Sequence, residues 1–311
     1  MKAVVQDTYG SPHEVLELKD IDRPAVEDGE VLMRVHAASV NPADWHLIRG
    51  APYIARLQWG LRTPKNPVPG CDLAGQVEEV GENVTTFQPG DEVFGSPFMR
   101  GFGALAEYAS VPADVLAVKP ANVSFDDAAA LPVAALTALQ GLRDHARVEP
   151  GHKVLIVGAS GGVGTFAVQI AKSFGAEVTG VCSTRNEADF AQDGQRYDSI
   201  FQLAGTRSAS DCTRALTRKG TLVLSSGESS GRVIGPVGRV VKASALSPLV
   251  SQRLLSFTVS PNGEDLQSVM ELVEAGKVSP VIDRRYSLSE SREAIRYLEE
   301  GHARGKVVIS V

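Results

Sequence analysis

The residues with the clearest chemical possibilities are Ala159, Ser160, Gly161, Gly162, Val163 and Gly164. They lie between an apolar run, KVLIVGA, and a second, amphipathic one, GVGTFAVQIAKSFG. Strand, glycine-rich turn and helix are therefore expected in that order. Against the pattern G-x-G-x-x-G, Ala159 stands in the first glycine's place, and Gly161 and Gly164 keep the second and third. Glycine at 161 lets backbone N–H groups approach a pyrophosphate, and glycine at 164 lets the helix lie close on the strand. The first-turn N–H groups and the helix dipole then face the anion. Dinucleotide binding is the expectation. The alternative is a tight strand–helix turn that needs small residues and holds no ligand.

The next apolar run, EVTGVC at 177–182, bears on which dinucleotide. A site that prefers NAD usually ends this strand with Asp or Glu, to hold the ribose hydroxyls. Here Ser183 and Arg185 follow, with no carboxylate before Glu187. Both suit a 2′-phosphate, where a charge-assisted hydrogen bond contributes about 1.5–3 kcal/mol. NADP (NADPH) is the expected cofactor; a solvent-exposed arginine is the alternative reading of Arg185.

The elements that must position these residues follow from composition and pattern. The chain has 311 residues, is 43% hydrophobic and carries a net charge of −6. It is long enough for one large or two ordinary domains. No apolar run approaches the roughly 20 residues of a membrane span. The first residues lack a signal-peptide core, and the charge leaves no basic footprint for nucleic acid. Three cysteines, Cys71, Cys182 and Cys212, are too few for a disulfide framework or a four-cysteine zinc site. The six histidines, at 13, 36, 46, 145, 152 and 302, show no ligand spacing, so no metal is expected. A reducing compartment, the cytoplasm, is the expected address.

The first third reads as short, often alternating β runs broken by Pro and Gly, which suggests an irregular antiparallel barrel-like domain. Near Asn122 the texture changes. Ser124 followed by Asp126 and Asp127 is a helix start, and alternating strands and helices then predict a parallel α/β sheet. Two amphipathic helices and a terminal strand, KVVISV, close the chain. The apolar and basic stretch at 231–253 reads as packed helix plus loop, with a flap or a partner surface as alternatives. Between EVTGVC and YDSIFQLAG lie only fourteen residues, Ser183–Arg196. A crossover helix, a strand and their loops need roughly twenty or more, so a segment is expected to be missing near Asn186–Glu187.

Several stretches together resemble the medium-chain dehydrogenase/reductase superfamily, in its zinc-free quinone oxidoreductase-like (zeta-crystallin-like) branch. They are SVNPADWHLIRG (39–50), PGCDLAGQVEEVG (69–81), GDEVFG (90–95), GALAEYASVP (103–112) and AAALPVAALTALQGL (128–142), in the family's order. The family's signature also runs through Gly151, His152, Leu155, Ala159, Ser160, Gly161, Gly162, Gly164, Gln169 and Lys172. The resemblance covers nearly the whole chain. It implies an α/β protein with a GroES-like β-rich catalytic domain (1–122), a Rossmann domain with a doubly wound parallel sheet (123–260) and a C-terminal return to the first domain (261–311). Zinc-dependent members have Cys where this chain has Asn41, and His–Glu where it has Cys71–Asp72.

The resemblance places Asn41, Asp44 and Tyr53 near the nicotinamide. Asn41 would bond a cofactor hydroxyl or a substrate oxygen, and Asp44 and His46 would orient each other or relay a proton. A turn at Asn41–Pro42, a helix cap at Asp44 and a structural His46 are the alternatives. Thr137, Leu203, Gly205, Ser225, Ser226, Gly227, Val259 (in SFTVSPNG) and Lys306 would line the cofactor, with Lys306 closing over it. The implied activity is hydride transfer from NADPH to a quinone, an enone or enal, or a related carbonyl, without zinc. A zinc-free alcohol dehydrogenase or carbonyl reductase, and a redox sensor that binds NADP(H) without turnover, are the alternatives. A homodimer is the family's expectation.

Overall fold

The computed structural model describes residues 1–182, 190, 194–205, 207–225 and 250–311. The chain divides into two compact units. The first holds Met1–Leu136, Ser260–Glu271 and Pro280–Val311; the second holds Thr137–Val259 and Leu272–Ser279.

The strands, in chain order, are β1 (Lys2–Gln6), β2 (Leu16–Asp20), β3 (Glu30–Val40), β4 (Asp72–Val80), β5 (Glu92–Gly95), β6 (Tyr108–Pro112), β7 (Leu116–Val118), β8 (Lys153–Val157), β9 (Glu177–Val181), β10 (Tyr197–Gln202), β11 (Leu216–Ser225), β12 (Arg253–Phe257), β13 (Ile282–Ser287) and β14 (Lys306–Ser310). In the first unit a sheet runs β13-β14-β3-β4-β5-β7, with β6 also on β3, and β1 and β2 form a separate pair. The long β3 is its centre, antiparallel to β14, β4 and β6. Its inward residues Val31, Met33 and Val35 meet Leu73, Val93, Val111 and Ile309 in the core. Alternation along a half-buried strand gave this face its apolar side chains.

The second unit is a parallel sheet of order β12-β11-β10-β8-β9. β8 is a nearly continuous apolar run, and β10 and β11 carry shorter buried ones, at 200–201 and 222–224, as a sheet covered on both faces favours. Leu155, Val157, Ile200, Leu222 and Leu224 share one core with Cys212 and Tyr197. The mixed α/β class, with a GroES-like sheet unit and a Rossmann-like parallel sheet unit, is as expected from the sequence.

The division between the units falls after Leu136, further along than the composition change at Asn122. The intervening helix Phe125–Ala129 packs on β3 and β4. Its cap is the one read from sequence: Ser124 Oγ accepts from Asp127 N at 3.1 Å. The segment 272–279 also joins the second unit, where Gln169 holds Ser279 through both ends of its amide.

Candidate active site

Two sites emerge, one in each unit. In the second unit, β8 ends at Val157 and the Gly162–Ser173 helix begins after the turn. β9 lies on one side of β8 and β10 on the other. The winding direction therefore reverses at the end of β8, the place where open α/β sheets bind ligands. Leu203 N donates to Val157 O at 3.0 Å, which brings Leu203–Gly205 beside the turn.

The glycines of the turn have different reasons. Gly158 has φ +91°, and a Cβ there would meet Ala204 Cβ at 2.8 Å. It makes the sharp bend, a role that the sequence comparison, aligned on Ala159, missed. A Cβ at Gly164 would sit 2.0 Å from Gly158 O, so close helix–strand packing alone demands glycine there. Gly161 is the helix N-cap at φ −78°, and its Cβ would meet only Gly158 O, at 3.5 Å. Among the described residues nothing requires glycine at 161. The small residue is explained by something that approaches from outside, as a pyrophosphate does. Ser160, Gly161, Gly162 and Val163 are half-exposed, and the first-turn N–H groups have no intrahelical acceptors. The turn fits a dinucleotide.

The other expected contacts vary. Thr137 and Val259 are buried in this unit, and Ser225 ends β11 opposite Phe257. Ser183, Arg185, Ser226, Gly227 and the Asn186–Glu187 junction lie outside the described residues.

In the first unit three strand ends meet. β14 pairs with β3 through Val307 and Val40, and β4 through Asp72 and Ser39. The last residues of β3 therefore lie between the first residues of β4 and β14. Asp72 Oδ2 accepts from Asn41 Nδ2 at 2.8 Å, Ser39 Oγ at 3.2 Å and Lys306 Nζ at 3.3 Å. Its Oδ1 accepts from Val133 N at 3.1 Å. Lys306 Nζ also donates to Asn41 Oδ1 at 2.6 Å. All of these side chains are buried. Chemistry fixes the Asn41 amide: an ammonium only donates and a carboxylate only accepts, so Oδ1 faces Lys306 and Nδ2 faces Asp72.

Asn41 is the N-cap of the Pro42–Arg49 helix, and Asp44, at N3, accepts from Asn41 N at 2.7 Å. This is half of a capping box. Among the described residues, buried Asp44 Oδ1 has no nitrogen or oxygen partner; the weak thiol donor of Cys71 is a polar neighbour of the carboxyl. Burial pushes the Asp44 carboxyl up to about 7, with Cys71, Asn41 N and Lys306 opposing the rise and Asp72 adding to it. Burial likewise pushes the Cys71 thiol well up, and Asp44 and Asp72 add to that.

The structure places three of the expected residues. Asp44 accepts from Asn41 N, and His46 Nδ1 lies 2.9 Å from Ala51 O. One expectation is corrected: Asp44 is not the N-cap but the third helical residue. The Lys306 side chain is 3% exposed and bonds Asn41 and Asp72. Tyr53 stands apart from this network, 49% exposed, with the Arg56 guanidinium over its ring. In the sequence Cys71 and Asp72 stand out only where zinc-dependent members have His–Glu; a polar pair opening an apolar strand is the signal for a buried network.

Residues 27–121 match the alcohol dehydrogenase GroES-like domain, and residues 176–309 match the zinc-binding dehydrogenase model. A chloroplastic quinone-oxidoreductase of Triphysaria versicolor is 33% identical, over 99% of this chain and 98% of its own. The chain belongs to the medium-chain dehydrogenase/reductase superfamily, in its quinone oxidoreductase-like branch. A 2-methylene-furan-3-one reductase of Solanum lycopersicum is 35% identical, over 99% of this chain and 79% of its own. The quinone oxidoreductase structure from Coxiella burnetii superposes with a TM-score of 0.82 at 31% identity, covering 100% of this chain and 99% of that one. This medium-chain dehydrogenase/reductase is an oxidoreductase that uses a nicotinamide cofactor. The alignment with the Triphysaria protein spans 339 positions, more than this chain's 311 residues, so that relative carries residues this chain lacks.

One of the matching models is named for zinc, and the residues present do not fit it. Zinc takes thiolate, imidazole nitrogen and carboxylate oxygen, in sites dominated by Cys and His. Cys71 is the one cysteine there and no histidine stands beside it in the sequence, and an ammonium already contacts Asp72 and Asn41. Among the described residues no group of three or more His, Cys, Asp or Glu is arranged to hold a metal.

Proposed function

We propose that this protein is an NADPH-dependent reductase of quinones, enones or enals, or related carbonyl compounds, working without zinc. The observation that carries the reading is the Asn41–Asp72–Lys306 network, which stands where a carbonyl-polarising metal would need ligands. A conjugated acceptor needs no such metal, because its electrons are already delocalised toward oxygen. Relatives named as a quinone-oxidoreductase and a 2-methylene-furan-3-one reductase support the same substrate class.

NADPH, when bound, supplies the hydride. The chain's part is to hold and align it. Gly161, Gly162, Val163 and Gly164 offer backbone N–H groups to the pyrophosphate, with Ser160 and Leu203–Gly205 beside them. Ser183 and Arg185 hold the 2′-phosphate, on the sequence argument that no carboxylate ends that strand. Thr137, Ser225, Ser226, Gly227 and Val259 complete the cofactor's surroundings, and Asn41 is the polar group on the catalytic unit, with Tyr53 at its approach. Asp44 serves by fixing the Asn41 backbone, and His46 by fixing Ala51. The three cysteines are free, which suits a cytoplasmic address, and a homodimer belongs to the same reading.

The test is turnover. NADPH and NADH oxidation are measured against quinones, enals, enones and simple aldehydes. The proposal expects NADPH oxidation with the conjugated acceptors, and Arg185→Ala to weaken NADPH by roughly ten- to a hundred-fold while sparing NADH. Simple aldehydes turned over in preference to conjugated acceptors would favour a carbonyl reductase. Binding without oxidation of either cofactor would favour a sensor.

A further inference from the structure

We propose that Lys306 is a built-in cation. Its ammonium does for Asn41 and Asp72 what a metal ion does for its ligands, holding them in one arrangement and leaving no place for a metal. The geometry has three parts. First, the side chains are out of solvent: Lys306 is 3% exposed and Asp72 0%. Second, the ammonium bonds both groups that it would have to organise, Asn41 Oδ1 at 2.6 Å and Asp72 Oδ2 at 3.3 Å. Third, the network is built from donors aimed at one carboxylate. Ser39 Oγ, Asn41 Nδ2, Lys306 Nζ and Val133 N all point at Asp72. A metal needs the reverse, several acceptors aimed at one empty point. A divalent ion bound by Asp72 would have to displace Lys306 and strip the other donors from the carboxylate.

The sheet explains why a lysine can do this. β14 lies beside β3 with Val307 opposite Val40, so its first residue falls next to Asn41, just beyond the end of β3. Lys306 N donates to Val281 O at 2.7 Å, which anchors the residue's own backbone. The lysine stem then runs inside the unit and only its tip is polar. Because the pair is buried, its worth lies in arrangement more than in stability. Removing one partner strands the other charge, whereas removing both charges together can be nearly neutral.

That asymmetry gives the test, which needs no substrate. Wild-type protein, purified without chelator, is assayed for zinc by elemental mass spectrometry, and its melting temperature is read with EDTA and with added Zn²⁺. Less than about 0.1 zinc per chain, and no shift with either, is the result expected. Lys306→Met is then compared with Lys306→Met/Asp72→Asn. The single variant is expected to melt roughly 5–10 °C below wild type, and the double variant to recover at least half of that loss. Near-stoichiometric zinc, a melting temperature lowered by EDTA, or a double variant no better than the single one would overturn the proposal. If Lys306→Met does not fold at all, the double variant and the wild-type metal assay still decide.

Where the turnover reading holds, one further arm separates positioning from packing. In the double variant kcat falls about tenfold while NADPH affinity is unchanged, because the Asn41 amide is no longer fixed. An unchanged kcat would reduce Lys306 to a structural filler. Absence of turnover in the wild type would count against the functional reading alone, leaving the metal and melting results to judge Lys306.

Discussion

At the scale of the residue, two glycines of one turn separate fold from function. Gly164→Ala drives a Cβ into Gly158 O at 2.0 Å and is expected to cost about 1–3 kcal/mol of stability, read by urea denaturation. Gly161→Ser keeps a good helix cap, and its Cβ meets no atom of the described residues closer than 3.5 Å. It should leave stability within about 0.5 kcal/mol yet weaken NADPH about tenfold or more, read by nucleotide fluorescence. Equal stability losses in the two variants would show that Gly161 serves packing. Asp44 offers a second residue-scale prediction. Its carboxyl rises from 3.8 to about 7 on folding, so between those pH values the folded chain keeps a proton that the unfolded chain releases. Its contribution is therefore most favourable below about pH 4, is lost as pH rises to about 7, and is level beyond. The stability of wild type relative to Asp44→Asn should fall across that window, by on the order of 4 kcal/mol. The asparagine retains an acceptor for Asn41 N. A difference that does not change with pH would refute the assignment.

At the scale of the element, the Pro42–Arg49 helix and the Ser291–Glu299 helix are clipped together by Arg49 and Glu299. Two guanidinium nitrogens reach the two carboxylate oxygens, Arg49 Nη2 at 2.9 Å from Oε2. The pair is partly exposed, so its worth is modest, but the fork geometry is one that lysine cannot copy. Arg49→Lys is expected to lower stability by about 1 kcal/mol and to leave the remaining stability less sensitive to salt, both read from urea midpoints at low and high ionic strength. Local chemistry made several elements legible in the sequence. Ser124 with Asp127 announced a helix start, and the run Lys153–Val157 announced a buried strand. The Pro42–Arg49 helix was less legible, because Asn41 and Asp44 suit a turn, a cap or a catalytic pair equally well until their partners are known. The short stretch after Val181 was read as too short for a crossover, and its residues 183–189 lie outside those described.

At the scale of the whole molecule, the cofactor is expected to act through the parallel-sheet unit. NADPH at about a hundred times its dissociation constant should add roughly 2.7 kcal/mol of stability, seen as a melting temperature higher by several degrees. Hydrogen exchange should slow at 158–164 and 203–205, the two strand-end segments that meet at the switch point. Protection confined to other segments would move the site away from the turn. The family was legible across the chain because glycine turns, strand runs and helix starts are local signals, fixed by backbone geometry and side-chain type. So were the strand, turn and helix at 153–173, because the three are contiguous. The buried network was not. Ser39, Asn41, Asp72, Val133 and Lys306 lie far apart in sequence, and no local rule says that a lysine opening a terminal strand will turn inward. Only the pairing of β14 and β4 on either side of β3 brings them together, and only burial makes their hydrogen bonds obligatory. The sequence by itself determined that this is a nicotinamide-dependent member of its superfamily without the usual zinc ligands. The tertiary structure decided what stands in their place, because a charge taken out of water must find its partners wherever the fold has put them.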